Sequence, residues 1–155
     1  MNKGIIRPMR LDDLESILEI ERVSFTTAWS SEAFKGELKE NEYARYLCLE
    51  VEGQVIGYMG LWFILDEGHI TNIAITPNHR GQHWGKFLMR SVMGKMVEQG
   101  MERMTLEVRV SNLLAQSLYK SLGFTAAGVR KGYYADSGED AMIMWAELGM
   151  EVNVT

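Results

Sequence analysis

The chain has 155 residues, of which 46% are hydrophobic and 24% charged, and its formal net charge is -5. This length can bury one sizeable core, so we expect a single domain over residues 1–148 and a polar tail over residues 149–155. The acidic balance argues against nucleic acid as a direct partner, because nucleic-acid binding requires a basic face. A cationic substrate suits the chain better.

The cysteine and histidine content indicates the class of site to expect. Cys48 is the sole cysteine, so no internal disulfide can form. His69, His79 and His83 show no metal-ligand spacing, and we expect no metal. Residues Met1–Arg10 hold no apolar stretch of signal-peptide length, and no window reaches the ~20 apolar residues of a membrane span. We therefore expect a cytoplasmic protein with no membrane partner.

The first half of the chain predicts a strand, two helices and an antiparallel meander. Asp12 with Glu15 three residues later resembles a capping box for a helix that ends near Ser24. Ser30 or Ser31 can cap a second helix towards residue 40. Short connections with turn residues separate the strands. The predicted strands are Ile5–Met9, Tyr43–Glu50, Val55–Leu65 and His69–Ile75.

The second half predicts two helices that alternate with strands. Asn112 can cap the second of these helices and Gly123 can end it, with an apolar stripe of Leu114, Leu118 and Leu122 between them. The order β-α-α-β-β-β-α-β-α-β-β predicts an α/β fold on a mixed sheet. The predicted elements are a helix over about Gly81–Gln99 and strands Met104–Val110, Phe124–Val129 and Asp140–Leu148.

The stretch Asn72–Lys86 passes from a strand through a glycine-containing turn into a helix. Small residues in such a turn let backbone N–H groups face a ligand, and the helix N-terminus adds about half a positive charge. Arg80 and Lys86 add cationic side chains. The stretch has neither a Walker ending nor a dinucleotide fingerprint. It predicts either a pyrophosphate site or an ordinary connection that uses Gly81 for a turn.

This stretch resembles the cofactor motif of the GNAT superfamily of N-acetyltransferases, Arg/Gln-x-x-Gly-x-Gly/Ala. Arg80 and Gly85 match it, whereas His83 stands where the family usually has its first glycine. The resemblance implies a mixed, mostly antiparallel sheet of about seven strands with about four helices and splayed fourth and fifth strands. It also implies acetyl-CoA as cosubstrate. The cofactor-binding residues it assigns are Ile73, Ala74, Ile75, Arg80, Gly81, Gln82, His83, Trp84, Gly85, Lys86 and Asn112.

Further segments resemble the bacterial RimI family of ribosomal-protein alanine N-acetyltransferases. The family substrate is the N-terminal alanine of the eighteenth small-subunit ribosomal protein, which would make a basic ribosomal protein the partner. The resemblance assigns the general base to Glu107 and the general acid to Tyr119. The segments that carry it are Leu106–Asn112, Ser117–Tyr119, Leu122–Phe124, Tyr133–Tyr134 and Gly138–Met144.

The chemistry of amine acetylation supports a carboxylate base. An ammonium cannot attack a thioester until it loses a proton, and an α-amine has a reference pKa of about 7.7 to 8.0. Glu107 shares a strand face with Thr105 and Arg109, opposite an apolar face, and could face a cleft or pair with Arg109 on a solvated edge strand. Tyr119 lies at the edge of its helix stripe, so its hydroxyl could reach outward, or it could be an ordinary core tyrosine.

Substrate recognition rests on aromatic and acidic residues near predicted loops. Either these aromatics frame a peptide channel and the acids attract a basic peptide, or the aromatics close the core and the acids form a solvated turn. The aromatics are Phe25, Trp29, Tyr133 and Tyr134, and the acids are Asp136, Glu139 and Asp140.

Two other functions remain open from the sequence. The enzyme could acetylate a small amine, such as a polyamine, or a lysine side chain. Alternatively, the fold could serve as a non-catalytic acyl-CoA sensor or interaction module, for which His83 in the cofactor motif is the hint.

Overall fold

The computed structural model describes residues 3–25 and 28–148, which form seven strands and four helices in the predicted order. Strands β1 to β7 are Gly4–Pro8, Ala44–Val51, Gln54–Ile64, Glu67–Ile75, Arg103–Arg109, Thr125–Tyr134 and Glu139–Glu147. Helices α1 to α4 are Leu14–Ser24, Ser31–Lys39, Trp84–Glu98 and Leu113–Ser121.

In the described residues the strands form one sheet in the order β1-β2-β3-β4-β5-β7-β6. The pairs β1/β2, β2/β3, β5/β7 and β6/β7 are antiparallel, and β4/β5 is parallel. The parallel ladder joins Glu67–His69 to Arg103–Thr105, the first three residues of each strand. The mixed, mostly antiparallel sheet is confirmed, and the short ladder is the pattern expected where the fourth and fifth strands splay.

The described residues divide into two compact units. The first comprises the chain up to Phe63 together with Thr71–Ser91, and the second comprises Ile64–Ile70 together with the chain from Val92 onward. Each unit has a buried apolar core. The first core includes Ile17, Phe34, Tyr46, Cys48 and Tyr58. Buried apolar residues of the second unit include Met104, Leu106, Val108, Leu122, Phe124 and Met144.

The start of α1 differs from the prediction by one residue. A 3-10 turn over Leu11–Asp13 precedes the helix, and Asp13, not Asp12, accepts the backbone N–H of Arg10 at 2.7 Å. The Arg7 guanidinium also binds Asp13 through two nitrogens at 2.8 Å and lowers the pKa of that carboxyl to about 2. The capping-box prediction was therefore wrong in its residue, because the ion pair with Arg7 holds Asp13 in the position that accepts the Arg10 N–H.

Helix α2 begins as predicted, whereas α3 begins later. Ser30 caps α2 by accepting the N–H of Ala33 at 3.1 Å. Helix α3 starts at Trp84 instead of near Gly81, because Gly81 and His83 have φ of 75° and 67°. A left-handed conformation cannot continue a right-handed helix, so the turn persists to His83.

The buried face of α4 also differs from the prediction. Asn112 caps the helix by accepting the N–H of Ala115 at 3.1 Å, as expected. Leu114, however, is 88% exposed, whereas Gln116 and Tyr119 are buried. The stripe based on Leu114 was therefore wrong, because Gln116 satisfies its amide against the end of β5 and takes the inward position.

Strand β6 continues beyond its predicted end at Val129, because its pairing with β7 extends to Tyr134 opposite Glu139. Tyr133 and Tyr134 therefore lie on a strand, not on a loop. The predicted polar tail falls outside the described residues. None of the helices in the described ranges combines the length and hydrophobicity of a membrane-spanning segment.

Candidate active site

Glu107 lies on β5 with its carboxylate largely removed from solvent. Alternation along β5 buries Met104, Leu106 and Val108 on one face and places Glu107 on the other, as predicted. The Glu107 side chain is nevertheless only 8% exposed. Because β5 lies between β4 and β7, it is an internal strand, and the solvated edge-strand alternative is excluded.

The Glu107 carboxylate has three polar neighbours on its own unit. His69 Nε2 lies 2.8 Å from Oε1, and Arg130 Nε lies 3.6 Å from Oε2. Tyr133 is a third, weaker polar neighbour that also favours the ionised carboxylate. Two bases and a phenol thus converge on one acid, an arrangement that fixes the orientation of the carboxylate.

These neighbours set the charge state of Glu107. Burial raises the pKa of this carboxyl, but the hydrogen bond from His69 and the charges of His69 and Arg130 outweigh it. The pKa therefore lies below its ordinary value of 4.5. Glu107 is ionised at neutral pH and can attract an ammonium group.

His69 and Arg130 were not assigned to the site from the sequence, although the strand register contains the signal. His69 pairs with Thr105, which shares a strand face with Glu107. Across β7, Ile143 pairs with both Glu107 and Gly128, so Arg130 lies two residues along the same face of β6. Finding these partners requires the register of a parallel pair and of an irregular hairpin, which the residue pattern does not supply.

Arg109 connects β5 to the hairpin between β6 and β7. Its guanidinium donates to Asp136 at 2.8 Å and to Glu139 at 3.4 Å, and it lies 4.0 Å from the centre of the Tyr134 ring. Glu139 also accepts the backbone N–H of Ser111 at 2.8 Å. The acids near the hairpin thus have partners within the protein, and Arg109 does not pair with Glu107. The acids therefore belong to a turn, as the solvated-turn alternative states, but Asp136 and Glu139 are paired with Arg109.

Tyr119 is a buried residue of the second unit. It is 8% exposed, its ring centre lies 5.9 Å from that of Phe124, and burial raises its pKa to about 12. The expected outward-reaching position was wrong, since α4 turns this residue into its buried face. At neutral pH the phenol therefore keeps its proton and can donate a hydrogen bond.

The segment Arg80–Lys86, called here the candidate cofactor segment, lies on the first unit and presents backbone groups at the start of α3. His83 O accepts the N–H of Phe87 at 3.0 Å, so the first turn of α3 begins at this residue. The N–H groups of Trp84, Gly85 and Lys86 belong to that first turn and are available to an anion. His83 occupies a left-handed conformation that the family's usual glycine adopts without strain.

Side chains around this turn are held by the protein itself. Arg80 Nε donates to Ile75 O at 2.8 Å, and its Nη2 donates to Ser24 Oγ at 2.9 Å. Trp84 packs against Phe87, with ring centres 5.6 Å apart, and a Cβ added at Gly4 would lie 2.7 Å from the Trp84 ring. The Trp84 indole is therefore held by packing within the first unit. Of the other assigned residues, Gly81, Gln82 and Asn112 are exposed, Ile73, Ile75, Gly85 and Lys86 are half-buried, and Ala74 is buried.

The loop between α1 and α2 carries the two predicted aromatics, and its Thr26 and Thr27 lie outside the described residues. The ring centres of Trp29 and Phe34 lie 5.1 Å apart. The backbone N–H of Trp29 donates a hydrogen bond to the buried Glu21 carboxylate at 2.9 Å. Glu21 also accepts a hydrogen bond from the Tyr58 hydroxyl, and burial raises its pKa. Trp29 thus joins the core, as the core-closing alternative states, whereas Phe25 remains 40% exposed.

The predicted site residues are therefore distributed over both units. The first unit holds the cofactor segment, the end of β4 and the loop between α1 and α2. The second unit holds the cluster of Glu107, His69, Arg130 and Tyr133, together with Tyr119 and Asn112. Within the described residues, no three His, Cys, Asp or Glu side chains are grouped as metal ligands.

Comparison with known proteins identifies relatives over nearly the whole chain. Residues 14–124 match the model of the acetyltransferase (GNAT) family. The chain is 49% identical over 146 residues to a putative ribosomal protein bS18-alanine N-acetyltransferase of Bacillus subtilis (strain 168). That match covers 94% of this chain and 97% of the relative.

Two solved structures share the fold closely. The crystal structure of the ribosomal-protein-S18-alanine N-acetyltransferase from Escherichia coli matches with a TM-score of 0.87 and 31% identity, covering 96% of each chain. The structure of Ard1 from Thermoplasma volcanium matches with a TM-score of 0.83 and 28% identity, covering 94% of this chain and 97% of the other.

Proposed function

We propose that this chain, which belongs to the acetyltransferase (GNAT) family, transfers the acetyl group of acetyl-CoA to the N-terminal α-amine of a protein. The observation that carries the proposal is 49% identity over 94% of the chain to a relative named for this activity. Residues 1–148 then form one catalytic domain, since the family match crosses both compact units.

The acceptor we propose is the N-terminal alanine of ribosomal protein bS18. The relatives in Bacillus subtilis, Haemophilus influenzae and Escherichia coli all carry this substrate in their names. A ribosomal-protein acceptor places the enzyme in the cytoplasm. The net charge of -5 is compatible with a basic polypeptide acceptor.

Glu107 is the general base in this proposal. The neutral form of the amine, which has lost its ammonium proton to solvent, attacks the thioester carbon and the C–S bond breaks. Coenzyme A leaves as a thiolate that accepts a hydrogen bond from Tyr119, or as a thiol if Tyr119 gives up its proton, and Glu107 takes a proton from the new C–N nitrogen. Proton transfer before attack would be uphill, because an α-ammonium has a reference pKa of about 7.7 to 8.0 and the pKa of Glu107 lies below 4.5. Once the C–N bond forms, the nitrogen becomes far more acidic, so a weak carboxylate base suffices.

Tyr119 is the proposed general acid, donating its phenolic proton, or a hydrogen bond, to the leaving sulfur. Its raised pKa keeps the proton in place at neutral pH but makes the phenol a weak acid. A thiolate is already a fair leaving group, so we expect Tyr119 to contribute less than Glu107. The backbone N–H groups of Trp84, Gly85 and Lys86 bind the pyrophosphate, with Arg80 beside them.

The test is acetyl transfer followed by mass spectrometry. Three acceptors are offered with acetyl-CoA: a basic peptide that starts with alanine, the same peptide with a blocked N-terminus and a free lysine, and spermidine. Selective modification of the free N-terminus supports the proposal. Transfer only to lysine or spermidine would assign the chain to another branch of the family, and coenzyme A binding without transfer would indicate a sensor.

A further inference from the structure

The turn that leads from β4 into α3 contains two residues with a left-handed backbone. Gly81 and His83 have φ of 75° and 67°, and Gln82 between them is exposed. A Cβ built at Gly81 would meet no heavy atom within 4 Å beyond its neighbours in the chain. Packing therefore contributes little to this turn, and hydrogen bonds decide which conformation it keeps.

The Arg80 side chain joins the start of this turn to two other elements. Its Nε donates to Ile75 O, at the end of β4, at 2.8 Å. Its Nη2 donates to Ser24 Oγ, at the end of α1, at 2.9 Å. All three residues belong to the first unit. Donors of the guanidinium that would otherwise be available to an anion therefore bind the protein itself.

The carbonyl that accepts the hydrogen bond from Arg80 is itself held by the sheet. It belongs to the peptide group between Ile75 and Thr76, and the N–H of this group donates to Ile56 O on β3 at 2.7 Å. The same peptide plane is thus bonded to β3 on one side and to Arg80 on the other. Arg80 therefore fixes the turn to a rigid part of the sheet. Because the Arg80 side chain is exposed, it can be changed without opening a cavity.

We propose that Arg80 is a positioning residue for acetyl-CoA, whose hydrogen bond to Ile75 O sets the turn so that the first N–H groups of α3 face the pyrophosphate. The inference deepens the proposed function and rests on it, because it requires acetyl-CoA to bind at the candidate cofactor segment. The N–H that Nε donates then matters more than the positive charge. A side chain that donates from the same position without a charge should preserve much of the affinity.

Two uncharged variants separate donation from charge. The amide nitrogen of glutamine stands at the same distance along the side chain as Nε of arginine, so Arg80→Gln can still donate to Ile75 O. Arg80→Met has a side chain of similar length and donates no hydrogen bond. Both variants remove the same charge, so charge cannot explain a difference between them. Ser24→Ala removes the second contact of Arg80, and Arg90→Met, which removes an exposed charge from α3, is the control.

The first measurement is the dissociation constant of acetyl-CoA by isothermal titration calorimetry. We expect Arg80→Gln to bind about three- to fivefold more tightly than Arg80→Met, the range for one net hydrogen bond. Ser24→Ala should weaken binding less than Arg80→Met, and Arg90→Met should bind like the unmodified protein. Thermal melting verifies that each variant is folded.

The second measurement uses the ligand-free protein, because a direct contact with phosphate would also favour glutamine over methionine. NMR hydrogen exchange follows two N–H groups on either side of the turn, those of Arg80 and Phe87, which donate to Pro77 O and His83 O. We expect these N–H groups to exchange roughly threefold faster in Arg80→Met than in Arg80→Gln. A direct phosphate contact predicts no difference without ligand.

Two results would overturn the inference. Equal affinities of Arg80→Gln and Arg80→Met would mean that residue 80 acts through its charge. A difference in affinity without a difference in exchange would make residue 80 a direct phosphate ligand. If the unmodified protein does not bind acetyl-CoA, the proposed function fails and takes the inference with it, whereas normal binding with equal variants removes the inference alone.

Discussion

The candidate cofactor segment on the first unit offers backbone groups, whereas the Glu107 cluster on the second unit consists of side chains. The candidate cofactor segment, Arg80–Lys86, offers the backbone N–H groups of three consecutive residues at the start of α3, Trp84, Gly85 and Lys86. The Glu107 cluster uses side chains from three strands, with His69 38 positions before Glu107 in the chain. A site that consists of backbone groups from neighbouring residues tolerates changes of side chain. A cluster of side chains from residues far apart in the chain depends on each of those side chains.

The largest effect should come from removing the charge at the centre of the cluster. We expect Glu107→Gln to lower kcat about 100-fold or more, because the amide cannot accept the proton that the amine must lose. Acetyl-CoA affinity should stay within about two-fold of the original value. Steady-state kinetics with isothermal titration calorimetry measures both, and Glu98→Gln, at the end of α3, is the control. Unchanged turnover in Glu107→Gln across neutral pH would remove this residue from the base role.

The opposite pattern should follow from an acidic residue in the cofactor segment. We expect Gly85→Asp to raise the dissociation constant of acetyl-CoA about tenfold or more, because a carboxylate in the first turn of α3 repels the pyrophosphate. A negative charge near the N-terminus of a helix interacts favourably with the helix dipole, so we expect the melting temperature to stay unchanged. Calorimetric titration and thermal melting test this pair of outcomes. Normal affinity with lost turnover would show that the segment does not bind the pyrophosphate.

A smaller effect should distinguish the contribution of His69 to the pKa of Glu107 from that of Arg130. Replacing His69 by alanine removes the hydrogen bond that lowers the pKa of Glu107, while burial still raises it. We expect the pKa of this carboxyl to rise towards or above its ordinary value, measured by carbon-13 NMR titration with His79→Ala as the control. No movement would mean that Arg130 alone holds the carboxylate ionised.

The same shift predicts a dependence of stability on pH. The pKa of Glu107 is lower in the folded chain than its ordinary value, so ionised Glu107 stabilises the fold above about pH 4.5. This contribution is lost as the pH falls through the folded pKa. The unfolding free energies of the original protein and His69→Ala should therefore converge towards low pH, as denaturant melts between pH 7 and pH 3 can determine.

The smallest effect concerns the residue that departs from the family motif. His83 has a φ of 67°, which costs a residue with a side chain about 1 kcal/mol relative to glycine. We expect His83→Gly to raise the free energy of unfolding by up to about 1 kcal/mol, and Gln82→Gly, at an ordinary φ, to lower it by about 0.5 to 1 kcal/mol. Chemical denaturation compares the two. Equal destabilisation by both changes would show that position 83 is not strained in solution.

Element types and order were predictable because they depend on local patterns. Alternation along residues 104–108 gave the face of Glu107, and Ser30 and Asn112 proved to be helix caps as predicted. The errors have a common cause. Asp13, Gln116 and Tyr119 each contact residues five to seven positions away, and neither helical periodicity nor a capping motif records such contacts.

Amino-acid pattern and family motifs were enough to specify the fold class, and they named a candidate acetyl-CoA segment and Glu107 as the candidate base, since each of these two lies in one continuous stretch. Tertiary structure alone decided what surrounds that base. The parallel register of β4 with β5 brought His69 to Oε1, and the antiparallel register through β7 brought Arg130 to Oε2. Pairing between strands far apart in the chain sets those distances, and the neighbours at those distances lower the pKa of the carboxyl.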